Sequence, residues 1–427
     1  MNFEELKLAN SGIQIIDGDR GKNYPKQDEF FSSEACLFLN AKNVTSNGFE
    51  FNEKSFITRE KDAVLRKGKL ERNDIVLTTR GTVGNVAYYS ERVPYESIRI
   101  NSGMVILRAD GDFCPNFLYW MFRSDYIQDQ ITSIRTGSAQ PQLPITIMRN
   151  LQLVKPELAE QRAIAATLSA LDAKIELNNR INKTLEEMAQ ALFKRWFVDF
   201  EFPDENGQPY KSSGGEMEES ELGLIPKGWK VESLDSIADY LNGLAMQKYR
   251  PEGEAFIPVI KIRELNQGKP DVQSDKASPN IDSKYIVNDG DVLFSWSGSL
   301  DVKIWCGGKG GLNQHLFKVT SVRYEKWFYY LWTKHHLEKF RGIAQDKATT
   351  MGHIQRKHLA ESLVIVPAQE ALERMNSVMR PIFDIFITRE IEAATLVAIS
   401  DTILPKLISG EIRLNGSFAE DIINGEG

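Results

Sequence analysis

The chain has 427 residues, which is length enough for two or three domains, each with its own core. Its apolar fraction of 42% and charged fraction of 26% are ordinary for a globular protein. There is no apolar run of about 18 residues or more, which argues against a membrane-spanning helix. The net charge of -7 does not exclude nucleic acid, because the charge is unevenly placed: 0 over residues 1–150, -5 over 151–232, +3 over 233–366 and -5 over 367–427. Phosphate contacts respond to the field within roughly 8–10 Å, so the acid confined to two segments leaves the other two able to bind.

The first residues lack the basic-then-apolar pattern of a secretory signal. Cys36, Cys114 and Cys306 are odd in number and far apart, which fits a reducing compartment better than a disulfide framework. A cytoplasmic protein is expected. Short Val- and Ile-rich runs bounded by Gly, Asn and Asp predict strands over 74–78, 104–107, 291–294 and 362–366. Helices are predicted over 116–125 and 326–340.

These elements belong to an internal repeat with a period of about 210–220 residues. Leu39 to Val44 resembles Ile260 to Leu265, and residues 73–77 with Thr79-Arg80-Gly81 resemble 290–294 with Trp296-Ser297-Gly298. Residues 101–107 resemble 313–319, and Phe117-Leu118-Tyr119-Trp120-Met121 resembles the aromatic run 327–332. The shared order of these matches carries the argument. In the two acidic segments the repeat becomes helical. Ile164, Leu168, Leu171, Ile175, Leu185, Met188 and Leu192 step by three and four, with a polar gap at Asn178. Adding 211 gives Met375, Met379, Ile382, Phe386, Arg389, Glu392, Leu396, Ile399 and Ile403, with Arg389 in the same gap. The common register predicts two long helices packed as an antiparallel pair, and Pro381 is expected to kink the second or delay its start.

The fold class expected is therefore α+β: two tandem α/β domains separated by two long antiparallel, coiled-coil-like helices, with a pseudo-two-fold internal repeat. The first domain is placed at 1–155, its helix at 156–200, a linker at 201–230, the second domain at 231–366, its helix at 367–414 and a flexible tail at 415–427.

No phosphate-binding loop, dinucleotide fingerprint or Asn-Pro-Pro-aromatic motif occurs. All five histidines lie in the second half, so the two copies cannot share a histidine mechanism. His335-His336 is not expected to hold a metal, and Glu157, Glu160, Glu186 and Glu187 read as a solvated helix face. What is duplicated is binding character: polar, basic, small and aromatic residues interleave in turn-rich stretches at 78–82, 135–140, 295–298, 313–315 and 347–350. Arg suits guanine, Asn and Gln suit adenine, and hydroxyls suit phosphate. The candidate DNA contacts are Lys42, Arg80, Thr82, Asn101, Arg135, Ser138 and Gln140 in the first half, and Lys261, Arg263, Ser297, Gln314, His315, Lys347 and Thr349 in the second. No catalytic or metal-binding residue is assigned.

Residues Leu192-Phe193-Lys194-Arg195-Trp196-Phe197-Val198-Asp199-Phe200, followed by Ser220 to Trp229, closely resemble the central region of the specificity subunits of type I restriction-modification enzymes. Leu404 to Ile412 resembles the end of their second half. Pro156-Glu157-Leu158-Ala159-Glu160-Gln161 is similar to their helix-starting element, reduced in the second copy to Pro367-Ala368-Gln369-Glu370. The one departure is that no early counterpart of residues 225–234 is apparent. The resemblance implies two target-recognition domains reading a bipartite, asymmetric sequence in double-stranded DNA. It also implies two modification (methyltransferase) subunits docked on the helices, and restriction (motor and nuclease) subunits completing the enzyme. Partner contacts are then expected at Leu168, Leu171, Ile175, Leu185, Phe193, Trp196, Phe197, Ile382, Leu396 and Ile403. S-adenosylmethionine, ATP and magnesium belong to the partner subunits, with no cofactor in this chain. The competing readings are a chain that fuses recognition to its own nuclease or methyltransferase, and a helical scaffold or decoy that binds modification subunits without reading DNA.

Overall fold

The computed structural model describes residues 3–137, 140–346 and 352–414. The chain divides into two compact units, residues 1–173 with 397–427, and residues 174–396. The expected tail, 415–427, lies outside the described residues.

In the first unit an antiparallel sheet runs in the order Gln14–Asp17, Met104–Arg108, Ile75–Thr78, Val86–Tyr88. The run Ile75–Thr78 is buried throughout because both faces of this sheet are covered. Ile75 and Leu77, with Val105 and Leu107, meet the helices Pro115–Arg123 and Asp125–Ile134. Val76, with Met104 and Ile106, meets a smaller sheet in which Cys36–Leu39 lies parallel to Ile98–Ile100. Phe117 to Phe122 are all buried, as expected of a helix that is apolar all round and enclosed on every side.

The second unit repeats this plan. Its sheet order is Asp239–Asn242, Leu316–Thr320, Val292–Ser295, Asp301–Ile304. Val292 and Phe294 face the helices Lys326–His335 and Leu337–Asp346, while Leu293 faces the layer in which Ile257–Ile260 runs parallel to Gly310–Leu312. The helix predicted over 326–340 is therefore two helices, with His336 capping the first.

Part of the missing early element, a counterpart of residues 230–234, is present. Glu4–Lys7 pairs antiparallel with Gln152–Lys155 as Lys230–Ser233 pairs with Leu363–Val366, and buried Leu8 corresponds to buried Leu234. Sequence comparison missed it because what the two segments share is strand pairing and one apolar position.

The two long helices are Leu158–Phe197 and Gln369–Ser409. Gln161 fixes the start of the first from a fully buried position: its Oε1 accepts from the Cys114 N–H at 2.9 Å, and its Nε2 donates to the carbonyls of Pro156 (2.9 Å) and Asp112 (3.1 Å). In the second unit the helices run antiparallel, since Asn178 donates to Glu392 (3.0 Å) and Asn182 to Glu390 (2.7 Å). In the first unit Ile164 and Leu168 share a cluster with Leu407 and Ile408, and Glu160 receives two bonds of 2.7 Å from Arg413.

Four expectations need correction here. Glu160 is buried and ion-paired, not solvated. Met188 is exposed, and Ala189 takes the inward place. Pro381 does not delay the second helix, which starts at Gln369; Pro381 lies on an exposed side, and proline's missing N–H costs least where water can reach the carbonyl left free. The linker is not a plain linker: Phe200, Phe202, Ile225 and Trp229 are buried in the core of the second unit, and Met217–Ser220 pairs with Gly223–Pro226. Its Gly, Ser and Glu content marks the turns between those anchors.

Among the described residues no helix is long and apolar enough to cross a membrane.

Candidate nucleic-acid interface

In each unit three loops meet at one end of the central sheet, held by the same bonds. The first loop follows Ile75–Thr78. The buried Thr78 hydroxyl donates to the Thr82 carbonyl and accepts from the Asn85 N–H at 2.9 Å. Its counterpart Ser295 donates to the Ser299 carbonyl (2.6 Å) and accepts from the Asp301 N–H (2.8 Å). One hydroxyl thus folds each turn, and Gly81 and Gly298 supply the left-handed residues, with φ of 74° and 65°.

The second loop is 101–103 or 313–315. The strand before each, Ile98–Ile100 or Gly310–Leu312, is parallel to Cys36–Leu39 or Ile257–Ile260. Parallel strands end on the same side, which brings Lys42 to the end of the sheet where Asn101 leaves, and Lys261 to that of Asn313. A glycine sits against each asparagine. A Cβ on Gly18 would lie 2.1 Å from the Asn101 carbonyl oxygen, and one on Gly243 would lie 2.2 Å from that of Asn313. The third loop docks on the first. The Leu143 N–H donates to the Thr79 carbonyl (2.9 Å), as the Ile354 N–H donates to that of Trp296 (3.0 Å). Arg80 bridges Gln142 as Ser297 bridges His353.

On this common frame the side chains differ. In the first unit Arg80, Thr82, Arg135 and Gln140 are exposed around the loops, and Asn101 accepts from the Gly103 N–H at 2.8 Å. In the second, Trp296 donates to Asn242 (2.9 Å) and its ring lies 5.7 Å from that of His315. Ser297, itself buried, meets His315 Nδ1 at 3.1 Å, and Gln314 adjoins Nε2 of the same ring. The first platform therefore presents the exposed cations Arg80 and Arg135, whereas the second is built on the Trp296 and His315 rings.

Three other cations are less free than their exposure suggests. Lys42 is paired with Glu53 at 2.9 Å, and Lys261 with Asp275. Arg263 is the furthest from a reading role. It forks onto Asp271 with two bonds of 2.9 Å and also holds buried Glu264. Bonds to Asp271 and Glu264 raise the Arg263 pKa, and those from Arg263 hold Asp271 far below the carboxylate range. Ser138, Lys347 and Thr349 lie outside the described residues.

Of the helix residues expected to meet partners, Leu168, Phe193, Trp196 and Phe197 are buried in the chain's own cores and so are not a docking surface. Leu171, Ile175, Leu185, Ile382, Leu396 and Ile403 are half-buried in the packed stripe. Met188, expected on that stripe, is exposed, and the exposed apolar side chains Leu177, Val378 and Ile385 went unnoticed because they fall off it. Sequence reasoning also missed Gly18 and Gly243, although each follows a polar residue (Asp17, Asn242) at the end of a sheet-edge strand. His336 is a half-buried packing group: its Nε2 lies 2.9 Å from the Leu363 carbonyl, and burial drives its pKa down to about 4.

A duplicated loop platform on a duplicated α+β domain defines a tandem recognition protein. The model for the type I restriction modification DNA specificity domain matches residues 14–187 and again 226–396, and the chain belongs to that family. It is similar to the specificity subunit of the type I restriction enzyme MjaIX of Methanocaldococcus jannaschii, with 26% identity over 355 residues, covering 80% of this chain and 78% of the relative. The HindI specificity subunit of Haemophilus influenzae shares 23% over 456 residues, covering 92% of this chain and 98% of the relative. The crystal structure of a type I restriction-modification S subunit from M. genitalium has the same fold, with a TM-score of 0.60 at 13% identity over 96% of both chains.

Proposed function

We propose that this chain reads a bipartite, asymmetric sequence in double-stranded DNA, one half with each recognition domain, as the specificity subunit of a type I restriction-modification complex. The observation that carries this reading is the platform built twice with the same bonds and dressed with different side chains. Equal frames give equal presentation to a groove; unequal side chains select unequal bases. Two modification subunits dock on the long helices, where Leu177, Met188, Val378 and Ile385 are exposed, and restriction subunits complete the assembly. The chain itself is not catalytic. S-adenosylmethionine, ATP and magnesium act in the partner subunits.

The deciding experiment replaces residues 1–155 with the first domain of another family member and maps methylation in cells. One half of the modified sequence changes and the other stays. A change in both halves, or in neither, rules out two independent readers. Incubating the purified chain alone with DNA, S-adenosylmethionine or magnesium tests the fused-enzyme alternative, and turnover there would refute the non-catalytic assignment.

A further inference from the structure

The first domain carries a depression of about 450 Å³ beside its second loop, lined by Asp17, Asp19, Arg20, Lys22, Arg66 and Lys67 with intervening small residues. Its wall is fixed to the interface, because Arg20 Nη2 donates to the Ser102 carbonyl (3.3 Å) and Gly18 lies against Asn101. Four cations face two carboxylates, and both carboxylates are already engaged. Asp17 pairs with Arg20 at 3.1 Å. Asp19 is occupied by backbone: it accepts from the N–H groups of Arg20 (2.7 Å) and Arg66. Burial works to raise the Asp19 pKa, but the backbone bonds from Arg66, Arg20 and Lys67 outweigh it and hold the carboxyl below its usual range. Asp19 therefore shapes the loop as a fixed anion. Lys22, Arg66 and Lys67 are exposed and form no salt bridge with a described residue. The fold does not require these charges. Counting from the matched glycines, the second domain has Leu244, Ala245 and Gln247 where the first has Asp19, Arg20 and Lys22, and Leu244 packs on an apolar cluster around Met246.

We propose that this depression grips the phosphodiester backbone of duplex DNA beside the first half-site, setting the position of the reading loops without selecting bases. The inference rests on the DNA-reading function proposed above. A cationic hollow tied to loop 101–103 suits a backbone phosphate: Lys22 and Lys67 are point charges, Arg20 is held by Asp17 and the Ser102 carbonyl, and the Asn23 amide is spent on the Val64 carbonyl at 3.3 Å.

The test uses the full chain, alone and co-expressed with modification subunits, titrated with a cognate duplex and with an unrelated mixed-sequence duplex across salt concentrations. The Lys22→Ala/Lys67→Ala variant is expected to bind both duplexes more weakly by the same factor, with a log affinity against log salt slope shallower by about 2. The Lys22→Arg/Lys67→Arg variant retains the wild-type slope, and the methylated sequence is unchanged in both. An unchanged slope in the alanine variant, or a loss confined to the cognate duplex, overturns the phosphate grip while leaving DNA reading intact. If the wild-type chain shows no salt-dependent binding in either form, DNA reading fails and the grip fails with it.

Discussion

At the scale of single residues, the loop platforms depend on groups buried beneath them. Gly18 and Gly243 let one loop pass against another's carbonyl, and a methyl group at either would collide with main chain, which cannot yield as a side-chain end can. Gly18→Ala is expected to destabilise the first unit by about 3 kcal/mol, read as a lowered melting midpoint. The Thr78 and Ser295 hydroxyls close their turns. Removing one leaves a donor and an acceptor unpaired, so Ser295→Ala should cost about 1–3 kcal/mol and speed hydrogen exchange at the Asp301 amide. His336 sets a pH dependence. Its folded pKa, about 4, lies below the ordinary value of 6.5, so between these the unfolded chain binds a proton that the folded chain excludes. Its contribution is complete above the upper value and is lost as pH falls toward the lower. Melting curves across that window should slope less in His336→Gln than in wild type.

At the scale of elements, the long helices combine an apolar stripe with one polar layer. The gap visible at Asn178 and Arg389 is real: Asn178 is fully buried and bonds to Glu392, which Lys174 and Arg389 also hold. Asn182 was not apparent from the spacing, because an inward amide inside a three-and-four pattern looks like any polar interruption. A buried polar pair fixes helix register, since a slip in either direction would leave charged groups against hydrocarbon. Asn182→Ala removes the amide bonded to Glu390 and should lower stability by about 1 kcal/mol, measured by denaturant titration with unchanged dependence on denaturant. The central segment teaches the converse. Its Gly, Ser and Glu residues were legible as turns, but the four aromatic and aliphatic anchors that make it part of a core were spread too thinly to signal burial.

At the scale of the whole molecule, one recognition frame occurs twice in one chain with different contents. Under the proposed function, each domain contributes separately to specificity. Arg80→Ala should relax one position of the first half-site, at roughly 1–3 kcal/mol if its guanidinium forks to a base, and leave the second half-site as it was. Methylation mapping after the substitution checks both halves at once, and relaxation in the second half would refute separate reading.

The sequence by itself determined the duplication, the α+β class, the two long helices and four of the five loop stretches that lie wholly or partly on the described platforms. These depend on periodicity and on turn residues, which act over a few positions and leave a local trace. Only the tertiary structure decided which cations are free and which are tied, as between Arg80 and Arg263. It alone placed Phe193, Trp196 and Phe197 inside a core, and showed that Gly18 and Gly243 do the same work 225 residues apart. The reason is physical: pairing, burial and close approach depend on partners brought from distant parts of the chain, and no local pattern records who those partners are.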